Sequence, residues 1–472
     1  MVKFTYLFYD LETSGLNKSF DQILQFAAKR TDQNLTEQES HFLEVKLLKD
    51  MIPSPEAVLT HGIGIADHDS HLEEVTAALM IHRMFNQPNT ISLGYNTLGF
   101  DDEFLRFTFY RNLLAPYTHQ FAQGCKRMDI FPMLIFYYLY APKNIIWPQL
   151  EGRVSLKLEA IAEENNWAVG QAHHAMNDVD ATIALAKRMI EDKPVWDYLQ
   201  GFFDKNIDAE RITQLPEAFQ DSTGHHLGIM IHPKFGNKHT FQAPVLSLGR
   251  HNHYKNQIVF LRLDHNFDDC DFEILDSKGL IIRKKLGEPG FTLPLNERYA
   301  RHISEERLAI CQHNLTRLRA ESDELAMLSH EAREYTHPEV DSVDLDAGLY
   351  EQGFRTKDED LLCNRFHLTS PKQKASLIDH FPSSHMKNQA IRLIWRNYPD
   401  LLPSEHQEKI QLYFDLICNS EPIYDYRGNT KKTVKEAQES IQSLLLEANE
   451  TQKKLLLDLK NYLDNLRNAR PF

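Results

Sequence analysis

The chain has 472 residues, of which 42% are apolar and 25% charged, and a formal net charge of −15. That length accommodates about two to four domains and a core that needs no disulfides. No run of about eighteen apolar residues occurs, and the opening MVKFTYLFYD has neither a basic leader nor a small-residue cleavage site, so neither a membrane-spanning helix nor a secretory signal is expected.

Cys125, Cys270, Cys311, Cys363 and Cys418 are far apart and form no Cys-x-x-Cys, which argues against a zinc site and for reduced thiols in the cytoplasm. Residues 1–195 alternate strand-like and helix-like patterns, the mark of an α/β domain. The first strand, FTYLFYDL, continues to Glu12. Residues i and i+2 of a strand share a face, so Asp10 and Glu12 point the same way. Two carboxylates so placed either sit at the solvated end of an edge strand or share a cation.

A second strand is expected at HFLEVKLL, a helix at EEVTAALMIHRMF and a strand at TISLGYN. Next, GYNTLGFDDEFL places Asp101 after Phe100 at the start of a helical run, and Asp129 in KRMDIF reads as a surface or capping residue. Trp147 reads as core or loop packing. The stretch AHHAMNDVDATIALA puts Asp178 five residues after His173 and leads into the closing helix ATIALAKRMI. An Asp near a helix start is ordinarily a cap. Three such sites on one α/β fold can also bring four acids to one edge of the sheet.

From about 220 to 285 the runs are short, alternating and punctuated by Gly and Pro, as in a small antiparallel barrel or sheet. Residues 224–263 contain no Asp or Glu but carry Lys234, Lys238, Arg250, Lys255, Arg262 and six histidines. This reads either as an anion-binding surface, with Phe235, Phe241 and Tyr254 free to stack on bases, or as a solvated basic face. After about 346 the chain is helical. NQAIRLIWRNY, SEHQEKIQLYFDLI and a long segment from Thr433 to Leu466 show three-and-four apolar spacing, the last reading as one arm of a bundle.

Three of these stretches together resemble the DEDD 3′-to-5′ exonucleases, in the subclass with a catalytic histidine. The family's D-x-E is matched by Asp10 and Glu12, its N-x-x-x-F-D by Asn96, Phe100 and Asp101, and its H-x-x-x-x-D by His173 and Asp178. The order of the parts is similar to the branch in which a ribonuclease H-like α/β nuclease domain with a mixed sheet (1–195) precedes an SH3-like β-barrel domain (196–345) and a C-terminal helical domain (346–472).

The resemblance implies two Mg²⁺ ions about 4 Å apart, replaceable by Mn²⁺. Asp10, Glu12, Asp101 and Asp178 would hold them, with Asp10 as the bridge. His173 would be the general base, because an imidazole near its reference pKa of about 6.5 accepts a proton at neutral pH. The motif spacing prefers Asp101 over Asp102 and Asp178 over Asp180, and leaves His174 a structural residue.

In THGI, residues 60–63, Ile63 reads as a base wedge or as a core residue in a turn. His61, Thr13, Asn96, Lys234 and Lys238 complete the expected substrate contacts. The implied activity is degradation of single-stranded DNA to 5′-mononucleotides in DNA repair and recombination, by a monomer that docks the C-terminal tail of single-stranded-DNA-binding protein. The alternatives are a 3′-to-5′ exoribonuclease, since the five motif residues do not tell DNA from RNA, and a non-catalytic nucleic-acid-binding adaptor. Retention of four mutually repelling carboxylates argues against the adaptor.

Overall fold

A computed structural model describes residues 3–65, 71–167, 174–219, 224–268 and 275–472. In the first part, strands β1 (Thr5–Thr13), β2 (Ile23–Thr31), β3 (Glu37–Glu44), β4 (Thr90–Leu93) and β5 (Lys126–Arg127) form one sheet in the order β3-β2-β1-β4-β5. β2 is antiparallel to β1 and β3, whereas β1, β4 and β5 run parallel, which gives the expected mixed sheet. The helices here are α1 (Pro55–His61), α2 (Glu74–Phe85), α3 (Asp101–Arg111), α4 (Ile130–Tyr140), α5 (Leu158–Glu164) and α6 (Ala175–Met189), with a hairpin β6 (Gln149–Leu150) and β7 (Arg153–Val154) before α5.

Both faces of β1 are covered, as a central strand requires. Leu7, Tyr9 and Leu11 pack with Phe85 of α2 and Phe104, Leu105 and Phe109 of α3. Tyr6 and Phe8 pack with Met133 and Phe136 of α4 and Val179 and Leu185 of α6. By the period of two, Asp10 and Glu12 continue the face that α6 crosses.

Two sequence expectations change here. The second strand is β2, which the sequence reading passes over, and the strand expected at HFLEVKLL is displaced, because β3 spans Glu37–Glu44. β2 is buried almost throughout and shows no alternation. Its buried Arg30 is satisfied by Thr5, Thr90 and the Met84 carbonyl, and it pairs with Glu39 at 3.4 Å.

After α7 (Lys193–Gln200) and α8 (Lys205–Thr213) comes an antiparallel sheet of β8 (Leu227–Ile231), β9 (Gln242–Arg250), β10 (Gln257–Arg262), β11 (Ile281–Lys285) and β12 (Phe291–Pro294), in the order β11-β10-β9-β8-β12. Then follow α9 (Glu297–Ala300), α10 (Glu305–Ala320) and α11 (Ser322–Glu334). Leu318 of α10 and Leu325 and Leu328 of α11 pack on Leu246, Leu248, Val259 and Leu261 of the sheet. Ile212 of α8 packs with Met230, Val245 and Phe260. α8 and α9–α11 lie outside the stretch of about 220–285 read as strands with turns.

The last part comprises α12 (Lys357–Leu368), α13 (Pro371–Lys374), α14 (Ser384–Asn397), α15 (Gln407–Cys418), α16 (Val434–Leu444) and α17 (Glu450–Asn468). The segment read as one long arm is two helices. α17 starts afresh at a capping box in which Asn449 and Gln452 exchange backbone-to-side-chain bonds of 3.0 Å. Its apolar seam packs on the protein: Leu456, Leu459 and Leu463 share a core with Trp395 of α14 and with Ile52, Val58 and Val75 of the first part.

A buried ion network crosses the same boundary. The Arg396 guanidinium donates to Asp50 (2.5 Å) and Asp346 (2.6 Å), Arg392 donates to Asp344 (2.8 Å) and Asp346 (3.0 Å), and the Tyr413 hydroxyl donates to Asp50 (2.8 Å). The helical part is therefore docked on the first part by common core and charge. No helix among the described residues is long and apolar enough to cross a membrane.

Candidate active site

The β1 pair Asp10 and Glu12 stands opposite Ala27 and Gln25 of β2, which are small or uncharged neighbours. The first turn of α6 lies over that face and brings Asp178. Oxygen atoms of Asp10, Glu12 and Asp178 all lie within 4.8 Å of one another. Asp101 opens α3 from the loop after β4, 5% exposed and outside that group of three. Both helices present their N-terminal ends, whose partial positive charge favours a carboxylate.

Four acids so close cannot all ionise without help. Burial first, then the charges of Asp101, Asp178 and Glu12, pushes the Asp10 carboxyl well above the usual carboxylate range. Burial and Asp178 push Glu12 up to about 8. Burial, then Asp129 and Glu12, raises Asp101 as well, against hydrogen bonds from its own backbone and that of Leu11. An oxygen-only donor set with uncompensated negative charge fits a hard divalent cation.

The acids adjacent in sequence are committed elsewhere. Asp102 is buried against Arg106 (2.5 Å), Arg127 (2.6 Å) and His119 (3.2 Å), and Asp180 pairs with Lys29 at 2.6 Å. His173 lies outside the described residues. His174 precedes α6 as its N-cap, and its ring stacks on Phe42 with centroids 5.1 Å apart and planes 12° apart.

The Thr13 hydroxyl is buried and donates to the Gly15 carbonyl (2.8 Å). His61 ends α1 and its Nδ1 accepts from the Ile63 backbone (2.9 Å), which fixes the 60–63 turn with Ile63 half-buried. Asn96 is exposed, in the left-handed region at φ 63°. Trp147 packs against Tyr138 and donates to the Pro142 carbonyl, in line with a loop-packing role.

Two expectations need correction, and of the two readings of Asp129 the cap holds. Asp129 is a cap, but it is 1% exposed rather than on the surface, and it binds the backbone of the Asn96–Leu98 turn as well as that of α4. Phe235 and Phe241 are buried in cores, so neither can stack on a base, and Tyr254 is half-buried against His251. Arg262 is paired with Asp264 at 2.6 Å and lies over Phe235, so it is not a free cation. In contrast, Lys234 and Lys238 are exposed in the turn between β8 and β9.

One further basic residue escaped the sequence reading, since nothing in its local pattern marks it. Lys18, in the loop after Glu12, lies over the Phe100 ring. Burial holds its ammonium below the usual range, and Glu103, Arg427, Lys234 and Asp101 are the charges acting on it. Its neighbour Asn17 donates to Asp425 of the helical part (3.3 Å). Cations from all three parts of the chain thus gather around Lys18, on which the charge of Asp101 also acts.

A proton–metal exchange follows. With Glu12 raised from 4.5 to about 8, the stability carried by its protonated form is complete below pH 4.5 and is lost as pH rises through 8. Metal-free protein should therefore be penalised at pH 9 relative to pH 6. The rise in Tm on adding Mg²⁺ should be larger at pH 9, and apparent Mg²⁺ affinity should fall by up to about tenfold per pH unit below 8 for each proton displaced. Differential scanning fluorimetry across pH, with Glu12→Gln as the flattened control, measures this.

The family pattern described as Exonuclease matches residues 7–186, and that described as Exonuclease I C-terminal domain matches residues 343–466. Exodeoxyribonuclease I of Haemophilus influenzae is 34% identical over 273 residues, which cover 57% of this chain and 56% of that protein. The Escherichia coli enzyme of the same name is 29% identical over 431 residues, 86% of this chain and 88% of its own. The structure of E. coli exonuclease I in complex with a dA16 oligonucleotide superimposes with a TM-score of 0.84 at 25% identity, over 98% of this chain and 100% of that one. With both patterns in order and that fold spanning almost the whole length, the chain is similar to exodeoxyribonuclease I from end to end.

Proposed function

We propose that this protein is a Mg²⁺-dependent 3′-to-5′ exodeoxyribonuclease that degrades single-stranded DNA to 5′-mononucleotides. The observation that carries the reading is the Asp10–Glu12–Asp178 cluster, with Asp101 close enough for its charge to act on Asp10. Asp10, Glu12 and Asp178 would hold one ion directly, and Asp101 would help to hold a second. Bound there, the ions supply what carboxylates cannot: a lowered pKa for the attacking water and neutralisation of charge on the departing 3′ oxygen.

The chain's own groups do the rest. His173, five residues before Asp178, takes the water's proton. Ile63 and the Asn96 turn border the terminal nucleotide, together with Thr13 and His61. Lys234 and Lys238 meet backbone phosphates as the strand enters. We take residues 1–195, 196–345 and 346–472 as nuclease, SH3-like barrel and helical domains of a monomer acting in DNA repair. The acidic, Phe-ended tail of single-stranded-DNA-binding protein is its proposed partner.

Labelled single-stranded DNA, single-stranded RNA and duplex, each with Mg²⁺ and with EDTA, separate the alternatives. Cleavage of the DNA strand alone, abolished by EDTA, is expected. Equal cleavage of RNA would favour an exoribonuclease, and binding without cleavage an adaptor. Replacing Lys234 and Lys238 together with Ala should weaken single-strand binding and flatten its log–log salt dependence by about 0.7 per lysine, or about 1.4 in all. Fluorescence anisotropy over a salt series reads that slope, and an unchanged slope would remove both lysines from the interface.

A further inference from the structure

Asp129 stands 28 residues beyond Asp101 and belongs to none of the motifs, yet its carboxylate is the buried junction of two segments that meet at the site. It is the N-cap of α4, where its Oδ1 accepts from the Phe131 backbone (3.0 Å). A cap needs no more than that. The same oxygen also accepts from the Asn96 backbone (2.8 Å), and Oδ2 accepts from that of Leu98 (3.1 Å).

Those two bonds leave α4 altogether. They hold the turn that departs from β4, passes Asn96 in its left-handed conformation, closes one 3₁₀ turn at Thr97–Gly99 and delivers Asp101 as the first residue of α3. The start of the turn is fixed from the other side. A Cβ at Gly94 would run into the Tyr9 carbonyl and the Thr97 side chain, so the backbone there lies directly against the strand that carries Asp10. The Gly94 carbonyl in turn accepts from Ile130, the residue after Asp129 (2.9 Å).

We propose that Asp129 is a positioning residue of the active site: by holding the Asn96–Leu98 backbone it sets where Asp101 stands relative to Asp10, Glu12 and Asp178, and so sets cation binding. This rests on the metal-dependent reading of the acid cluster. It acts through Asp101 and touches neither substrate nor cation. A displaced Asp101 weakens one side of the cation site, whereas the groove that holds the strand is untouched. The effect therefore falls on metal affinity and kcat, with KM for DNA spared.

The discriminating variant is Asp129→Ser, since serine caps a helix about as well as aspartate but its short hydroxyl serves α4 without reaching Asn96 and Leu98. Full-length wild type and variant are compared by thermal unfolding, by calorimetric titration with Mn²⁺, and by single-strand degradation over a Mg²⁺ series. The expected result is a folded protein whose Mn²⁺ affinity falls several-fold, whose half-saturating Mg²⁺ rises in step, and whose kcat drops about 10- to 100-fold with KM within about threefold. A folded Asp129→Ser with wild-type Mn²⁺ affinity and Mg²⁺ profile would make Asp129 a helix cap only and overturn the proposal.

Should Asp129→Ser not fold, Asp129→Asn serves. It keeps the shape and one acceptor oxygen but turns an amide N–H₂ against the Leu98 N–H. The same metal shift in that variant supports the proposal, and its absence overturns it. Wild-type protein that binds Mn²⁺ but degrades no strand would refute the nuclease reading alone, because the calorimetric comparison stands without activity.

Discussion

Asp10→Asn is expected to abolish strand degradation, by at least about three orders of magnitude in kcat, while binding of single-stranded DNA in EDTA stays within about threefold of wild type. Asp10 is the acid on which the other three act: the charges of Asp101, Asp178 and Glu12 all fall on its carboxyl. The amide has one acceptor oxygen and no charge, so the cluster loses the member best placed to face two ions. Lys18, Lys234 and Lys238 lie outside it, so the proposed phosphate contacts of Lys234 and Lys238 are left in place. The same variant should raise the Tm of metal-free protein at pH 8, because a buried repulsion is removed. Near-wild-type turnover would remove Asp10 from the cation site.

Arg396→Met is expected to cost about 3–5 kcal/mol at pH 7, a large share of the stability of a protein this size. The guanidinium is 7% exposed as a residue and is shared by Asp50 and Asp346, both buried. Burial alone would raise the Asp50 carboxyl, but the charges of Arg396 and Lys431 more than offset it and hold Asp50 well below the usual range. Such a depressed pKa contributes stability above the unfolded value near 4 that is lost only as pH falls through the lower folded value. Without Arg396 burial is opposed at Asp50 by Lys431 and Tyr413 alone, so its pKa rises and the variant's deficit should narrow as pH is lowered toward 5. Asp50→Asn combined with Arg396→Met should recover more than half of the loss, since neither charge is then left buried alone. Urea unfolding of the wild type and both variants at pH 7 and pH 5 measures both effects.

The acid pair on β1 was legible because a strand's period of two needs only the local sequence to place Asp10 and Glu12 together. Asp101 and Asp178 were legible only as motif positions. Nothing local says that α3 and α6 bring their first turns to the same strand end, which is a property of the parallel β1–β4 pairing and of α6 crossing β1. β2 was missed because a strand buried on both faces shows no alternation. α4 was passed over for a related reason: IFPMLIFYYLY is apolar all round and has no 3.6-residue stripe.

The break before α17 did leave a signal, the Asn449-x-x-Gln452 box, which the continuous apolar spacing across Leu444–Leu446 obscured. The rings at Phe235 and Phe241 could not be placed from sequence, because an aromatic among basic residues looks the same whether it stacks on a base or fills a core. Asp129 looked like any helix cap, and its bonds to Asn96 and Leu98 span more than thirty positions in the chain.

The proposed reaction is removal of nucleotides from a 3′ end by the acid cluster on β1 and α6 with the help of a divalent cation. A 5′-labelled single-stranded oligonucleotide, incubated with the full-length protein and Mg²⁺ and followed over time with mass analysis of the released product, tests it most directly. The expected result is a ladder shortening from the 3′ end, a product that is a nucleoside 5′-monophosphate, and no reaction in EDTA. Immediate release of the 5′ label as a mononucleotide, internal cuts, or undiminished cleavage in EDTA would contradict it.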